Sequence, residues 1–375
     1  MEQTEERRAL REAVRRLVEK DPDGHWPRLC GEIGAAGLAI PAEYGGAGAS
    51  LLESHVVLEE LGRVLAPSPL LGSAVLAAQA VLLTGDAAAC ARLLPDIASG
   101  ARIAALAWSG ADGRWDGAPV EIGPSDVLSG AAHYVLDDGA DVLLVAAGGH
   151  LYEVAAARTP APAPDAPPTP TPAPDAPRAP TPAPDAPRTP TLAPDARRTP
   201  APALDATRRL ATVEFPGVPA RRLGPCPLDR LRAVAWVALS AEQVGTATRA
   251  LELTVGYVKT RVQFGRPIGA FQALQHRLAD LHVRVESARS ASYAAASALV
   301  EDAVDAPLLA AAARVHCTET LELVAAEMIQ MHGGIGITWE HDAHRYFKRA
   351  HGTRHLFGHP DTALAAVATH LLDSP

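Results

Sequence analysis

Three stretches of helix-compatible sequence, Leu231 to Lys259, Phe271 to Val300 and Pro307 to His332, constrain this chain more than anything else in it. Each is long enough for roughly six turns or more, and helices of that length are stable in water only when their apolar faces pack on one another. They predict a bundle, with a fourth member from about Asp342 to Leu356, and hence a C-terminal four-helix-bundle domain over residues 227–375. The first hundred residues carry the same period in shorter pieces. Leu10, Val14, Leu17 and Val18 share one stripe, and the run from Glu53 to Leu65 sets Val56, Val57, Leu58 and Leu61 against Glu59 and Glu60. Residues 1–100 therefore read as an N-terminal α-helical domain, punctuated by Pro41 and by the glycines between Gly37 and Gly48.

Between residues 101 and 226 the period changes. Ile103 to Trp108, Ala132 to Leu136, Val142 to Ala146, Leu151 to Val154 and Ala211 to Phe215 are short apolar or alternating runs bounded by Gly, Asp and Pro, which predict a middle antiparallel β-domain. The fold class is thus α+β multidomain. An insert at about residues 159–204 belongs to none of these units: a Pro-Ala-Pro-Asp-Ala-Pro-Arg theme recurs with aspartates at Asp165, Asp175, Asp185, Asp195 and Asp205. Proline at that density removes backbone donors and leaves too few apolar groups for a core, so the segment predicts a disordered expansion of a loop between two strands.

Composition narrows the function classes. The 375 residues are 48% apolar with a formal charge of −9, which disfavours a nucleic-acid partner, and no run is apolar enough to span a bilayer. Met1 to Lys20 is a charged helix pattern without a signal core, and Cys30, Cys90, Cys226 and Cys317 lack disulfide or metal spacing, so a cytoplasmic location is expected. His341 and His344 suit a metal by spacing, yet no third ligand accompanies them and no metal site is expected.

Two segments carry chemistry. Arg261-Val262-Gln263-Phe264-Gly265-Arg266-Pro267-Ile268-Gly269-Ala270-Phe271-Gln272 joins two of the long helical runs and offers a guanidinium fork, an amide, and Gly and Pro that let backbone approach a ligand, the ingredients of an anion site. A helix-loop-helix corner is the plainer reading of these residues by themselves. Gln330-Met331-His332-Gly333-Gly334-Ile335-Gly336-Ile337-Thr338-Trp339-Glu340 closes the third run with paired glycines. Both segments, with Gly37 to Gly48 and Glu59-Glu60-Leu61-Gly62-Arg63, resemble the acyl-CoA dehydrogenase family, and their wording is similar to actinobacterial members of steroid and lipid catabolism.

The resemblance implies FAD as cofactor, an acyl-CoA substrate, an oligomer and an electron-transfer flavoprotein as electron acceptor. It implies that Arg261, Gln263, Phe264, Ile268, Phe271, Gln330, Gly333 and Gly334 contact FAD across a subunit interface, with Tyr134 and Ser109 standing in for the usual ring-side residues. It also exposes a gap. Dehydrogenation needs a carboxylate base beside the flavin, and the family's two positions fall on Phe357 and Ala235. Glu242, seven residues after Ala235 and about 10 Å further along the helix, is the remaining catalytic candidate, although a paired helix carboxylate is the commoner role for such a residue. Asp229 reads as the cap of that helix, and Arg345, Lys348, Arg349 and Arg354 as a solvated basic stripe. Alanine at 235 suggests a widened pocket beside Trp236 and Leu239 that would suit a bulky acyl group. The resemblance therefore implies an FAD-dependent acyl-CoA dehydrogenase that works as one subunit of a heteromer. The alternatives are a catalytically silent flavin- or acyl-CoA-binding homologue, or another flavoenzyme on the same fold, an acyl-CoA oxidase or a flavin-dependent hydroxylase.

Overall fold

A computed structural model describes residues 4–20, 25–117, 119–136, 139–155 and 196–373. The N-terminal part is helical. Helix α1 (Glu5–Lys20) buries Val14, Leu17 and Val18, and the one-turn α2 (Trp26–Arg28) runs into a wide turn that Gly34 ends at φ 71°. Ser50 caps α3 (Leu51–Arg63) through a reciprocal pair in which the Leu52 N–H donates to Ser50 Oγ and the Ser50 N–H donates to Glu53 Oε2. A wide-turn helix, Leu70–Ala77, continues into α4 (Ala78–Leu83), and Asp86 caps α5 (Ala87–Ala98).

The middle part is a sandwich of two four-stranded sheets. One has the order β1 (Ala104–Ala107), β4 (Val142–Ala147), β5 (His150–Ala155), β8 (Arg221–Pro225). The other has the order β2 (Val120–Gly123), β3 (Val127–Leu136), β7 (Leu210–Pro219), β6 (Arg197–Ala201). Their facing sides form one apolar layer that includes Ala105, Leu128, Leu143, Tyr152, Val213 and Phe215. The pairing is antiparallel except between β1 and β4, which run parallel.

Strand β6 corrects the expected insert. Its Arg197–Ala201 lie within the proline repeat yet pair with β7, Pro200 opposite Ala211. Proline is tolerated there because β6 is an edge of its sheet, where a missing N–H leaves no ladder bond unmade. Asp205 likewise leaves the repeat and is buried. Residues 156–195, the bulk of the expected disordered segment, lie outside the described residues.

The C-terminal part comprises α6 (Leu228–Thr260), α7 (Gln272–Val300), α8 (Ala306–His332) and α9 (Ala343–His355), followed by α10 (Pro360–Asp373), an alanine-rich helix that periodicity did not disclose. Asp229 does not cap α6. Pro227 holds the cap position, and Asp229 pairs with Arg232 in the first turn at 2.8 Å. The first half of α6 is buried nearly all round because α3 crosses it at backbone distance. A Cβ on Gly62 would meet Glu242 O at 2.2 Å, and one on Gly245 would meet Glu59 O at 1.8 Å. Neither glycine can gain a side chain without parting the two helices.

The same crossing buries His55 of α3, whose Nε2 lies 3.1 Å from Ser292 Oγ and whose ring meets Tyr293 edge-on. Burial pushes its pKa down to about 4, partly offset by Glu59. A histidine held neutral contributes stability that is complete above its unfolded pKa near 6.5 and declines as pH falls toward the folded value. Urea titrations at a series of pH values should show a loss of roughly 3 kcal/mol on acidification across that window. A His55→Phe chain should lose much less, and equal acid sensitivity of the two would rule His55 out as the cause.

Candidate active site

Helix α9 ends at His355, and the chain then turns through Phe357 (φ 61°) and Gly358 (φ 94°). This turn holds Phe357, the residue on which the family resemblance puts the commoner base position. Phe357 is 1% exposed, and its carbonyl accepts two indole N–H groups, Trp115 Nε1 at 3.0 Å and Trp236 Nε1 at 2.9 Å. Trp108 completes the cluster, with its ring centroid 4.4 Å from that of Trp115 and 5.7 Å from that of Phe357. Such contacts add about 1 kcal/mol per pair to the burial of the rings themselves.

Buried Arg314 of α8 fixes the turn from below. Its Nη2 donates to the carbonyls of Arg354, Leu356 and Gly358 at 2.7, 3.0 and 2.9 Å, and its Nη1 to Thr318 Oγ1. The first two of these carbonyls lie at a helix end and carry its negative pole, which suits a guanidinium that makes no ion pair with a carboxylate among the described residues. Burial draws its pKa down to about 10, still charged at neutral pH.

Among the described residues no carboxylate in a position to act as base lies beside Phe357 or Ala235. Ala235 is fully buried, and the crevice beside Phe357 and Trp236 measures about 40 Å³, so the widened pocket expected at Ala235 is filled. A space of that size admits a water, not a tricyclic ring. Among the described residues Asp116 is the carboxylate that lines it, and its hydrogen bond from Arg114 at 2.6 Å lowers its pKa, the wrong direction for a proton acceptor. A larger cleft of about 440 Å³ lies between α1, α3, α6 and α7 and shares no residue with this crevice.

Glu242 is paired. Its carboxylate accepts from Arg208 and lies 3.8 Å from Arg349, while Asp205 meets Arg349 at 2.6 Å and Arg208 at 3.7 Å. The cluster is buried and ties the loop before β7 to α6 and α9. Burial opposes the charge on Asp205, but Arg349 and Arg208 outweigh it and hold the carboxyl below its ordinary range. To act as a base, Glu242 would have to break these ion pairs.

The expected basic stripe is solvated only in part, at exposed Arg345. Arg349 is buried in that cluster, Arg354 pairs with Glu322, Arg345 with Asp342, and Lys348 lies 4.5 Å from the Trp339 ring centroid.

The two motif segments leave neighbouring helix ends. Val262–Gln263 pairs with Arg266–Pro267 in a two-residue hairpin whose corner, Phe264 and Gly265, has φ of 53° and 75°. Positive φ at both corner residues matches the right-handed twist of a tight hairpin. Phe264 is thereby held 92% exposed, and Arg261 and Gln263 face solvent. Ile268 and Phe271 are half-buried, with Arg266 4.1 Å above the Phe271 ring.

At the end of α8, Gln330, Gly333 and Gly334 are exposed, and nothing lies within 4 Å of where either glycine's Cβ would be. Tyr257 and His332 stack at 4.2 Å and bring the two segments together. Ile337 at 72% and Trp339 at 85% exposure add apolar surface to the same face. Ser109 and Tyr134 form a separate group on the β-sandwich. The Ser109 hydroxyl, fully buried, donates to His133 O, and the Tyr134 hydroxyl donates to Ala111 O at 3.1 Å.

Trp108, Trp115 and Arg314 were not singled out from sequence. No sequence signal joined the two tryptophans to Phe357, 242 positions from Trp115, whereas an arginine on an otherwise apolar helix face was the available signal for Arg314.

Comparison with known proteins places these features in a lineage. Residues 4–101 match the family model for the N-terminal domain of acyl-CoA dehydrogenases, and residues 233–372 match the model for the C-terminal domain. The chain is 37% identical to acyl-CoA dehydrogenase IpdE2 of Mycobacterium tuberculosis, over 99% of each protein. It superposes with a TM-score of 0.82 on a chain of the ChsE4-ChsE5 complex from Mycobacterium tuberculosis, at 27% identity and with 100% and 99% of the two chains covered. A chain of the Tcur3481-Tcur3483 steroid ACAD gives the same TM-score at 28% identity, over 98% of each. FAD is the cofactor of the family these models describe. With both of its helical parts matched and a full-length relative at this identity, the chain belongs to the acyl-CoA dehydrogenase family.

Proposed function

We propose that this chain is the base-lacking subunit of a hetero-oligomeric, FAD-dependent acyl-CoA dehydrogenase. It would lend its exposed loops to the FAD of a homologous neighbour that carries the glutamate. One observation carries this reading: the base position is packed into a tryptophan cluster while the two motif segments stand exposed. The cofactor fits one end of the site and not the other. Arg261, Gln263, Gln330, Gly333 and Gly334 are accessible donors and open backbone suited to a pyrophosphate outside this chain. At the ring end the hydroxyls of Ser109 and Tyr134 are already bonded within the chain, and Trp108, Trp115 and Phe357 occupy the volume beside them.

When bound, FAD supplies the acceptor for the hydride that leaves the acyl group. This chain's part is to hold a neighbour's cofactor by its phosphates and to cover it with Phe264, Ile337 and Trp339. The two-component names of the ChsE4-ChsE5 and Tcur3481-Tcur3483 structures support a heteromer, and the steroid named in the second supports a bulky, steroid-derived acyl-CoA as substrate. An electron-transfer flavoprotein as acceptor and a cytoplasmic site of action complete the reading, and no described helix is long and apolar enough to cross a membrane. The division into units of about 1–100, 101–226 and 227–375 belongs to the same proposal.

The test is co-purification with a glutamate-bearing homologue, with and without Arg261→Ala. The native pair should carry flavin that an acyl-CoA bleaches, and the variant pair should hold FAD at least tenfold more weakly, as expected for losing a charge-assisted phosphate contact. Bleaching of FAD by this chain purified alone would overturn the proposal.

A further inference from the structure

Tyr257 ends α6 and His332 ends α8, so their stack joins the roots of the two exposed segments. The Tyr257 hydroxyl also donates to the His332 carbonyl at 3.4 Å. His341, just ahead of α9, lies with its ring 4.3 Å from His332 and 6.2 Å from Tyr257. His332 is 4% exposed, and its Nδ1 lies 2.7 Å from Met328 O, which requires the proton on that nitrogen. Nε2 is then an acceptor in the neutral ring, and it is buried without a partner. His341 Nδ1 accepts the Ala343 N–H at 3.1 Å, which puts the proton of its neutral ring on Nε2.

We propose that Tyr257, His332 and His341 are positioning residues that clasp residues 261–271 to residues 333–342, and that protonation of buried His332 opens the clasp. The consequence for FAD rests on the function proposed above, whereas the clasp itself does not. Among the described residues no carboxylate acts on His332 to meet a charge there. Tyr257 of α6 and the Met328 carbonyl of α8 face it and His341 adjoins it, while His344 of α9, beside His341, has Lys348, Arg345 and Asp342 around it, the last paired with Arg345. Burial lowers the His332 pKa, the hydrogen bond to Met328 offsets part of that and His341 adds to the lowering, and His344 is lowered by burial, Lys348 and Arg345. Because the folded state favours the neutral His332 ring, the clasp is whole above the ordinary histidine pKa near 6.5 and weakens as pH falls below it.

Hydrogen–deuterium exchange of the purified chain, corrected for intrinsic rates, reads the clasp directly. Between about pH 7.5 and about pH 5.5, peptides covering 261–271 and 333–342 should lose protection together by about fivefold or more, while α3 and the β-sandwich stay protected. His332→Phe with His341→Phe keeps rings in the stack and removes the protons, so protection should persist at both pH values. The clasp is refuted by pH-independent exchange, by a response in one segment only, by a response that survives in the double variant, or by simultaneous opening of α3. No FAD or partner enters the measurement. A chain that clasps but never joins a glutamate-bearing homologue would defeat the proposed function and leave the clasp standing.

Discussion

Replacing Phe357 with glutamate is expected to destabilise the chain by about 4 kcal/mol and to restore no dehydrogenation by the chain alone. The ring it removes packs against Trp108 and Trp115, and the carboxyl it introduces enters a buried aromatic site in which, among the described residues, the Trp108 Nε1–H is the indole donor left unpaired. Both indole N–H groups of Trp115 and Trp236 point at the backbone carbonyl of residue 357, so neither is free to meet the new side chain. Urea unfolding of the variant measures the loss, and anaerobic mixing with FAD and an acyl-CoA measures the chemistry. A variant within about 1 kcal/mol of the native chain that also bleaches flavin would mean that the aromatic cluster opens easily.

Arg349→Met should cost a similar amount, about 3–5 kcal/mol, because it strands Asp205 and Glu242 as buried charges with Arg208 as their remaining partner. Combining it with Asp205→Asn should recover a sizeable part of the loss, since one stranded charge disappears with the arginine. Equal costs for the single and double variants would show that the packing of Arg349, and not its charge, is what α9 requires. The cluster also has a defined pH signature. The depressed carboxyl of Asp205 contributes stability above its unfolded pKa near 3.9 and loses it only as pH falls below that. Acid sensitivity that begins near pH 6 therefore belongs to buried histidines such as His55.

Much of the architecture was legible because helix period survives in sequence. α1, α3, α7 and α8 follow apolar spacing closely, and the turn between α6 and α7 announces itself through Gly265 and Pro267. Strand β6 was hidden because its proline content argues for a loop until an edge position is known. Arg349 was misread for a related reason: a charged position on a helix looks solvated until the chain folds Asp205 against it from the β-part.

The site divides the same way. That Phe357 and Ala235, neither of them able to take a proton, stand where the family resemblance expects a carboxylate was readable by counting from the motifs. What fills the space was not, since Trp115 meets Phe357 across 242 positions of sequence. Arg314, whose partners are backbone carbonyls and the Thr318 hydroxyl, left no pattern that pairing rules for charged residues would detect.

The central claim is that this chain completes a flavin site without possessing one. Flavin absorbance and native mass of the assembly formed with a glutamate-bearing homologue test it most directly. The account predicts one FAD for each pair of unlike chains and none retained by this chain alone. One FAD for every chain, or a stable flavin complex of this protein by itself, would contradict it.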